Sequence, residues 1–484
     1  MPIVMTRSIP PDPLRAPQAA VWSPSLQKRP GATKHKLLTD AIIADIDGGR
    51  LVAGTRMPTH RDLAHRLGIS VQTVSISYKE AEQRGYLKGE VGRGTFVRTR
   101  ITERADRFML DRTAHGTTDL SIIRAVYTEQ HEQASRALMA ALASADNSAF
   151  MRPCRPIIGL DRHRATARSW LAGLGMPADP DCILITNGAA HGIFLAVAAV
   201  VFPGDVVLTE NLTDHGIIGL ANVLGFTLRG LPTDEEGILP EALAAACGSG
   251  EVRALVLIPT LNNPTSHVMG AARRRAVADI ARRHGVFVIE DEVYRPLIEA
   301  PLTAITSMIP QLGFFVTSFT KSVMTGLRIG YLVVPPKYAI RVASILRVTG
   351  WSATNVVAEM ASCWVEDGTA QALLAVQRRE LQARQALVRE HLGPILASAH
   401  PASLCALLRV PPRWSEEGLV RALAQKGIAA TSSDPFIAGG ERPANRIRLS
   451  IGGRHSLSAL RDTFDIVRST FEQLPPVFDV GPMA

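Results

Sequence analysis

Residues 318–333 read SFTKSVMTGLRIGYLV. The stretch closes one short apolar run, FFVTS (314–318), and opens another, IGYLVV (329–334). Lys321 lies between them, directed into a packed interior. Loss of hydration lowers the pKa of such a lysine and frees its amine to attack a carbonyl. Ser318 and Arg328 flank it and suit a phosphate, the arginine through its two-pronged guanidinium. Gly326 and Gly330 suit tight turns. Taken alone, the pattern also fits a surface lysine beside a glycine turn.

Working outward, four more apolar runs precede this one. They are CILIT (182–186), VVLT (206–209), ALVLIP (254–259) and VFVIED (286–291), separated by Ala-, Leu- and Arg-rich helical stretches. Near-continuous apolar strands alternating with helices predict a mostly parallel α/β sheet covered on both faces. Three of these runs end in polar residues of a particular kind. After CILIT comes NGAAHGIFLA, a glycine turn into a helix. The amides of Gly188, Ala189 and Ala190 are then placed to hold an anion at a helix start. After ALVLIP comes TLNNPTS, which presents Asn263 at the carboxyl edge of the sheet, where open α/β folds bind ligands. VFVIED ends on Asp291, with Tyr294 three residues on. A carboxylate there can pair with a cationic ring nitrogen, and a phenol can donate to a phenolate oxygen. Each feature alone also fits an ordinary turn, a capping acid or a core tyrosine.

The chain has 484 residues, 46% of them hydrophobic, enough for two or three domains with a sizeable core. Its five cysteines (154, 182, 247, 363, 405) show neither disulfide nor metal spacing and read as reduced thiols. No metal site is expected. The longest apolar run, IFLAVAAVVF (193–202), is too short for a bilayer, and no secretory signal is evident at the N-terminus. A cytoplasmic location without membrane attachment is expected. The net charge of +9 is uneven. Residues 1–98 hold 15 Lys and Arg against 8 Asp and Glu, a surplus of +7 that leaves +2 for the rest. A basic module on a near-neutral body suits a polyanion partner, although a solvated basic surface has the same balance.

Residues 1–34 are Pro-rich and aperiodic, expected as a disordered tail. Residues 35–98 read as a compact unit. LLTDAIIADIDGG (37–49) is an amphipathic helix stopped by Gly48-Gly49. THRDLAHRLG (59–68) is a second helix, capped at Thr59 and stopped by Gly68. ISVQTVSISYKEAEQRG (69–85) is a third, with Ser70 as N-cap. Val71, Val74, Tyr78 and Ala81 fall on one face of it, leaving Gln72, Ile76 and Lys79 outward. YLKGEVGRGTFV (86–97) predicts two strands around a Gly-rich turn. Three helices and a hairpin make a winged helix-turn-helix. Its third helix starts with short polar residues suited to a major groove, and its wing carries Arg93. A three-helix protein-binding module has the same pattern. Residues 99–118 read as a linker, 119–478 as the body, and about 385–475 as a smaller α+β subdomain of it.

Two resemblances sharpen these expectations. The first unit resembles the GntR-type winged-helix domain along its length, through GRLVAGTRMPTHRDLA, LGISVQTVSISY and GEVGRGTFV. That implies DNA contacts at Arg61, Ser70, Gln72, Thr73 and Arg93, with Gly94 allowing close backbone approach. The body resembles the fold-type I, pyridoxal-phosphate (PLP) dependent transferases of aminotransferase class I/II. That implies an α/β large domain with a smaller α+β domain. Lys321 would carry PLP as a Schiff base and serve as the catalytic residue. Asp291 would pair with the pyridine nitrogen, and Asn263 and Tyr294 would address the ring oxygen. Gly188, Ala189, Ala190, Ser318 and Arg328 would hold the phosphate. In ANRIRLSIGG, Arg448 would take a substrate or effector carboxylate, with Arg446 as its rival.

The body departs from that pattern at three places. Asp214 stands where an aromatic usually stacks on the pyridine ring, with His215 beside it as a substitute if the loop shifts. Thr325 stands where Pro is usual. Ile123 and Arg124 stand where Asn or Gly is frequent. The fusion itself resembles the MocR/GabR transcription regulators. It implies a head-to-tail homodimer on double-stranded operator DNA, controlled by PLP and an amino-group effector. The alternative is a working aminotransferase that carries a DNA-binding domain.

Overall fold

The computed structural model describes residues 22–24, 33–47, 50–51, 55–83, 86–90, 94–97, 116–144, 154–299, 302–439 and 445–475. The chain divides into two compact units, Met1–Arg104 and Ala105–Ala484.

The first unit has helices α1 (Lys34–Asp47), α2 (His60–Leu67) and α3 (Val71–Gln83), then strands β1 (Leu87–Glu90) and β2 (Gly94–Val97). The strands pair antiparallel with Leu87 opposite Val97. Helix α2 starts where Thr59 accepts the amide of Asp62 and stops at left-handed Gly68 (φ 60°). Leu38, Ile42, Leu63, Val74, Tyr78, Ala81, Leu87 and Val97 form the core. The Tyr78 hydroxyl donates to the carbonyl of Pro58 at 3.0 Å, which ties α3 to the entry of α2. One expectation for α3 fails. Val71 is 47% exposed, because the first turn of α3 overhangs the core, while Ser77 is fully buried and bonded to the carbonyl of His35. In the stretch expected as a tail, the Trp22 indole donates to Asp45 on α1 at 2.7 Å. Gly48-Gly49, Arg93 with the rest of the wing turn, and residues 99–115 lie outside the described residues.

The second unit is built on a seven-stranded sheet. Its strands are β3 (Ile183–Thr186), β4 (Val206–Glu210), β5 (Thr227–Leu231), β6 (Val252–Leu257), β7 (Phe287–Asp291), β8 (Gly313–Ser318) and β9 (Gly330–Val333). The order is β3-β9-β8-β7-β6-β4-β5. All neighbours are parallel except β9, which runs antiparallel to both β8 and β3. The six apolar runs of the sequence are six of these strands. The seventh, β5, lies at the edge and alternates exposed with half-buried residues, so it lacks the continuous apolar signature. The sheet is thus mixed, with a single reversed strand.

The smaller sheet has β10 (Leu396–Ala399), β11 (Cys405–Arg409), β12 (Thr431–Ser432) and β13 (Arg446–Ser450), in the order β10-β11-β13-β12. Helix Leu457–Glu472 and the last turns of the long helix Thr369–Leu392 pack on it through Leu387, Val388, Leu392, Phe464 and Phe471. Residue 385 therefore falls inside a helix and not at a break. The chain segment entering the unit also joins here. Thr118–Asp119 pairs in parallel with Ile428–Ala429, and Leu120 is buried in the same core.

The close approach of β9 to β3 needs glycine. A Cβ at Gly330 would lie 2.6 Å from Thr186 Oγ1 and 2.7 Å from the carbonyl carbon of Gly188. Gly326, in the loop that leads into β9, has nothing within 4 Å of its Cβ position. Gly330→Ala is therefore expected to destabilise the unit by roughly 1–3 kcal/mol through overpacking, and Gly326→Ala by less than about 0.5 kcal/mol. Thermal melts followed by circular dichroism check the contrast; equal effects would contradict it.

Candidate active site and candidate nucleic-acid interface

The carboxyl ends of β3, β7 and β8 and the amino end of β9 converge. Pairing of Ser318 with Gly330, and of Gly330 with Thr186, brings the lysine loop against the turn that begins helix Ala189–Val200. Gly188 caps that helix at φ 82° without a side-chain cap. The amides of its first turn have no acceptor within the helix. The guanidinium of Arg328 lies against Gly188: a Cβ there would come within 3.2 Å of Arg328 Nη2. Arg328 takes a left-handed backbone (φ 48°), and its side chain is exposed. Ser318 is fully buried beside it. A helix start and a guanidinium thus meet in one place, with Ser318 next to them through its pairing with Gly330.

Lys321 follows in the loop. Its Nζ donates to the carbonyl of Ile123 at 2.6 Å. Burial pulls its pKa down to about 8, although the Asp214 carboxylate works in the opposite sense. The hydroxyl of Thr325 accepts the amide of Ala125 at 2.9 Å. Two departures noted in the sequence are therefore one local arrangement. The threonine clamps segment 123–125, and that segment supplies the carbonyl the lysine uses.

Strand alternation splits the triplet Glu290-Asp291-Glu292 between faces. Glu290 and Glu292 share Arg274 at 3.1 and 2.8 Å, and Glu292 also takes Arg295 at 3.2 Å. All four groups are buried. Asp291, on the other face, is buried and accepts the amide of Val293 at 3.2 Å. Burial pushes its pKa up to about 8, helped by the negative charge of Asp214. Such an acid is neutral near pH 7 until a cation sits against it. Tyr294 is buried within the fields of Asp214, Cys405, Asp291 and Arg448; burial holds its hydroxyl well above the ordinary phenol range.

Asn263 stands at the centre of a bonded chain. Its Nδ2 donates to Asp214 Oδ2 at 2.7 Å, and its Oδ1 accepts from Arg448 Nη1 at 2.9 Å. Arg448 is buried on β13, bonds the carbonyl of Ser121, and stacks 4.6 Å from the ring of Phe436. Its Nε has no hydrogen-bond partner among the described residues. The rival Arg446 begins the strand, its own amide held by Glu416 at 2.8 Å, and no bond joins it to Asn263 among the described residues. Asp214 caps helix His215–Leu224 by accepting the amide of Gly216. His215 meets Phe436 edge-on at 6.3 Å. Sequence reasoning missed this use of Asp214. The one signal was an acid directly before a His-Gly helix start, the pattern of an N-cap. It also missed Arg274 and buried Glu210, whose pKa burial raises to about 7. Among the described residues, no cluster of three or more His, Cys, Asp and Glu could hold a metal ion.

In the first unit, Ser70 caps α3: its Oγ accepts the amide of Thr73 at 3.0 Å and meets the Thr73 hydroxyl at 2.8 Å. Arg61 and Gln72 are exposed, and Thr73 is half-buried. Gly94 has φ 116°, and the space a Cβ would fill is bounded by the Arg56 guanidinium at 3.0 Å. Part of the room that Gly94 provides is thus used within the domain. No helix among the described residues is long and apolar enough to cross a membrane.

Comparison with known proteins agrees with this geometry. Residues 122–462 match the family "Aminotransferase class I and II", and residues 36–97 match "Bacterial regulatory proteins, gntR family". The HTH-type transcriptional regulator YdeF of Bacillus subtilis (strain 168) is 27% identical over 455 residues, covering 94% of this chain and 97% of that protein. The HTH-type pyridoxine biosynthesis transcriptional regulator PdxR of Corynebacterium glutamicum is 24% identical over 433 residues, covering 83% of this chain and 88% of that one. Among solved structures, the α-aminoadipate aminotransferase LysN of Thermus thermophilus, complexed with N-(5'-phosphopyridoxyl)-L-leucine, superposes with a TM-score of 0.66. It is 21% identical, over 76% of this chain and 94% of that one, and shares the fold. The chain therefore belongs to the aminotransferase class I and II family, with a GntR-type winged helix at its N-terminal end.

Proposed function

We propose that the protein is a DNA-binding transcription regulator whose aminotransferase-like body binds PLP and senses an amino compound. One observation carries the reading. A part-buried lysine, a buried acid, and a cradle of helix start, serine and arginine converge at one sheet edge, in a chain that also bears a winged helix.

The residues fit the cofactor. Gly330 packs directly against the Gly188 backbone, and Arg328 lies along the helix start where a Cβ on Gly188 would fall. Gly188, Ala189, Ala190, Ser318 and Arg328 hold the phosphate. Asp291 meets the ring nitrogen, and Asn263 and Tyr294 address the ring oxygen. Lys321 is the anchoring amine. When bound, PLP supplies an electrophilic carbon to which primary amines add, and an electron sink. The protein's own groups do the rest. Lys321, with its pKa near 8, holds a neutral amine in appreciable fraction at neutral pH and can accept or return a proton. Asp291, raised to about 8, falls back to its charged form when a cationic nitrogen contacts it. Arg448 receives the carboxylate of an amino compound. Arg61, Ser70, Gln72 and Thr73 face DNA, together with Arg93 and Gly94 in the wing.

The relatives named as HTH-type transcriptional regulators span nearly their whole length with this chain, which favours regulation over metabolism. A single winged helix reads few base pairs, each worth about 1–3 kcal/mol, so useful selectivity calls for two copies on two half-sites. A head-to-tail homodimer on double-stranded DNA meets that need. An amino effector works only if it favours one DNA-binding arrangement over the other, and a coupling of about 1–3 kcal/mol suffices. A cytoplasmic location follows from a DNA partner.

Purified protein loaded with PLP is expected to show a visible absorbance band that Lys321→Ala removes. A colourless wild-type protein that takes up no PLP overturns the reading. Arg61→Ala and Gln72→Ala should each weaken binding to a fragment upstream of the protein's own gene by about 5- to 150-fold, the range of one base contact. Anisotropy titrations that return wild-type affinity for both would contradict the winged-helix assignment.

A further inference from the structure

Asp214 occupies the helix start where the family resemblance leads one to expect an aromatic. Its carboxylate is committed twice: Oδ1 accepts the Gly216 amide at 2.8 Å, and Oδ2 accepts Asn263 Nδ2 at 2.7 Å. Asn263 in turn presents Oδ1 to Arg448 Nη1 at 2.9 Å. An amide has one accepting and one donating end. With a carboxylate on one side and a guanidinium on the other, only one orientation makes both bonds. A flipped Asn263 would set oxygen against carboxylate and NH2 against guanidinium. Asp214 and Arg448 thus select the same orientation of Asn263, and Asp214 holds the amide in place from the side opposite Arg448.

The surroundings make that orientation consequential. Arg448 is buried, its Nε has no hydrogen-bond partner among the described residues, and it is also held by the carbonyl of Ser121, the hydroxyl of Thr431 and the ring of Phe436. Lys321, Asp291, Tyr294 and His215 also interact electrostatically with Asp214.

We propose that Asp214, Asn263 and Arg448 form a relay in which Asp214, as a positioning residue, locks Asn263 so that Arg448 is held ready for the carboxylate of the effector. The proposal rests on the reading of this site given above. It assigns to Asp214 a task that an aromatic in the same place does not perform.

The test exploits a difference in sign. Replacing Asp214 with Asn removes a negative charge near Arg448, so simple Coulomb attraction predicts tighter binding of an anion. The relay predicts weaker binding, because Asn263 is released. Asparagine also caps helices well, so helix His215–Leu224 keeps its start. The probe is propionate, a carboxylate without an amine, titrated by calorimetry into the full-length PLP-loaded protein. Asp214→Asn is expected to weaken propionate binding at least about fivefold, the lower end of ordinary coupling. Asn263→Ala should do the same, and the double variant should be no weaker than Asn263→Ala alone. Unchanged or tighter binding to Asp214→Asn, or additive losses in the double variant, overturns the relay. If Asp214→Asn does not fold, Asn263→Ala carries the test, and wild-type affinity for it overturns the proposal. Failure of the wild-type protein to take up PLP strikes the reading of the site instead, and is seen before propionate is added.

Discussion

The backbone at Gly330 comes so close to Gly188 that no side chain fits between them. Much of the site follows from that contact. It sets the reversed strand β9 against β3, which fixes where the loop 319–329 returns. The return places Arg328 along the helix start at Gly188 and seats Lys321 beside the carbonyl of Ile123. A cradle suited to an anion and an amine suited to a carbonyl are therefore consequences of one strand pairing.

Charge is balanced around this frame in two layers. Behind the sheet edge, Glu290 and Glu292 are matched by Arg274 and Arg295 in a buried cluster. Breaking one such partner leaves an uncompensated buried charge, which is costly. That cluster anchors the end of β7 and so holds Asp291 between two acids paired with arginines. In front, Asp291, Asp214, Lys321 and Arg448 shift one another's protonation. Burial raises the pKa of Asp291 and lowers that of Lys321, so the charge each carries depends on what is bound beside it. A site poised in this way is responsive, which suits sensing.

The sheet was readable in the sequence because buried parallel strands are apolar on both faces. CILIT, VVLT, ALVLIP, VFVIED, FFVTS and IGYLVV all became strands. The edge strand Thr227–Leu231 was not readable, because one face meets solvent and its pattern breaks up. Nor did composition disclose that β9 runs backwards, since burial does not encode direction. Residues that act by chemical type and position, such as Lys321, Asp291 and Asn263, could be singled out along the chain. Residues that act through long-range bonds could not. The pairings of Thr325 with Ala125 and Asp214 with Asn263 span 200 and 49 positions. Each looked in the sequence like a mere departure from pattern. Val71 failed for a related reason: helical period gives the face a residue lies on, but not where the core beneath it ends.

The aminotransferase-like body and the winged helix share one chain, and the proposed function requires that the first control the second. The most direct test is the affinity of PLP-loaded protein for a fragment upstream of its own gene, measured across a panel of amino acids and amines. The account predicts that at least one amine bearing a carboxylate changes that affinity by about fivefold or more, and that Lys321→Ala abolishes the change. DNA affinity indifferent to PLP and to every amine in the panel would contradict it.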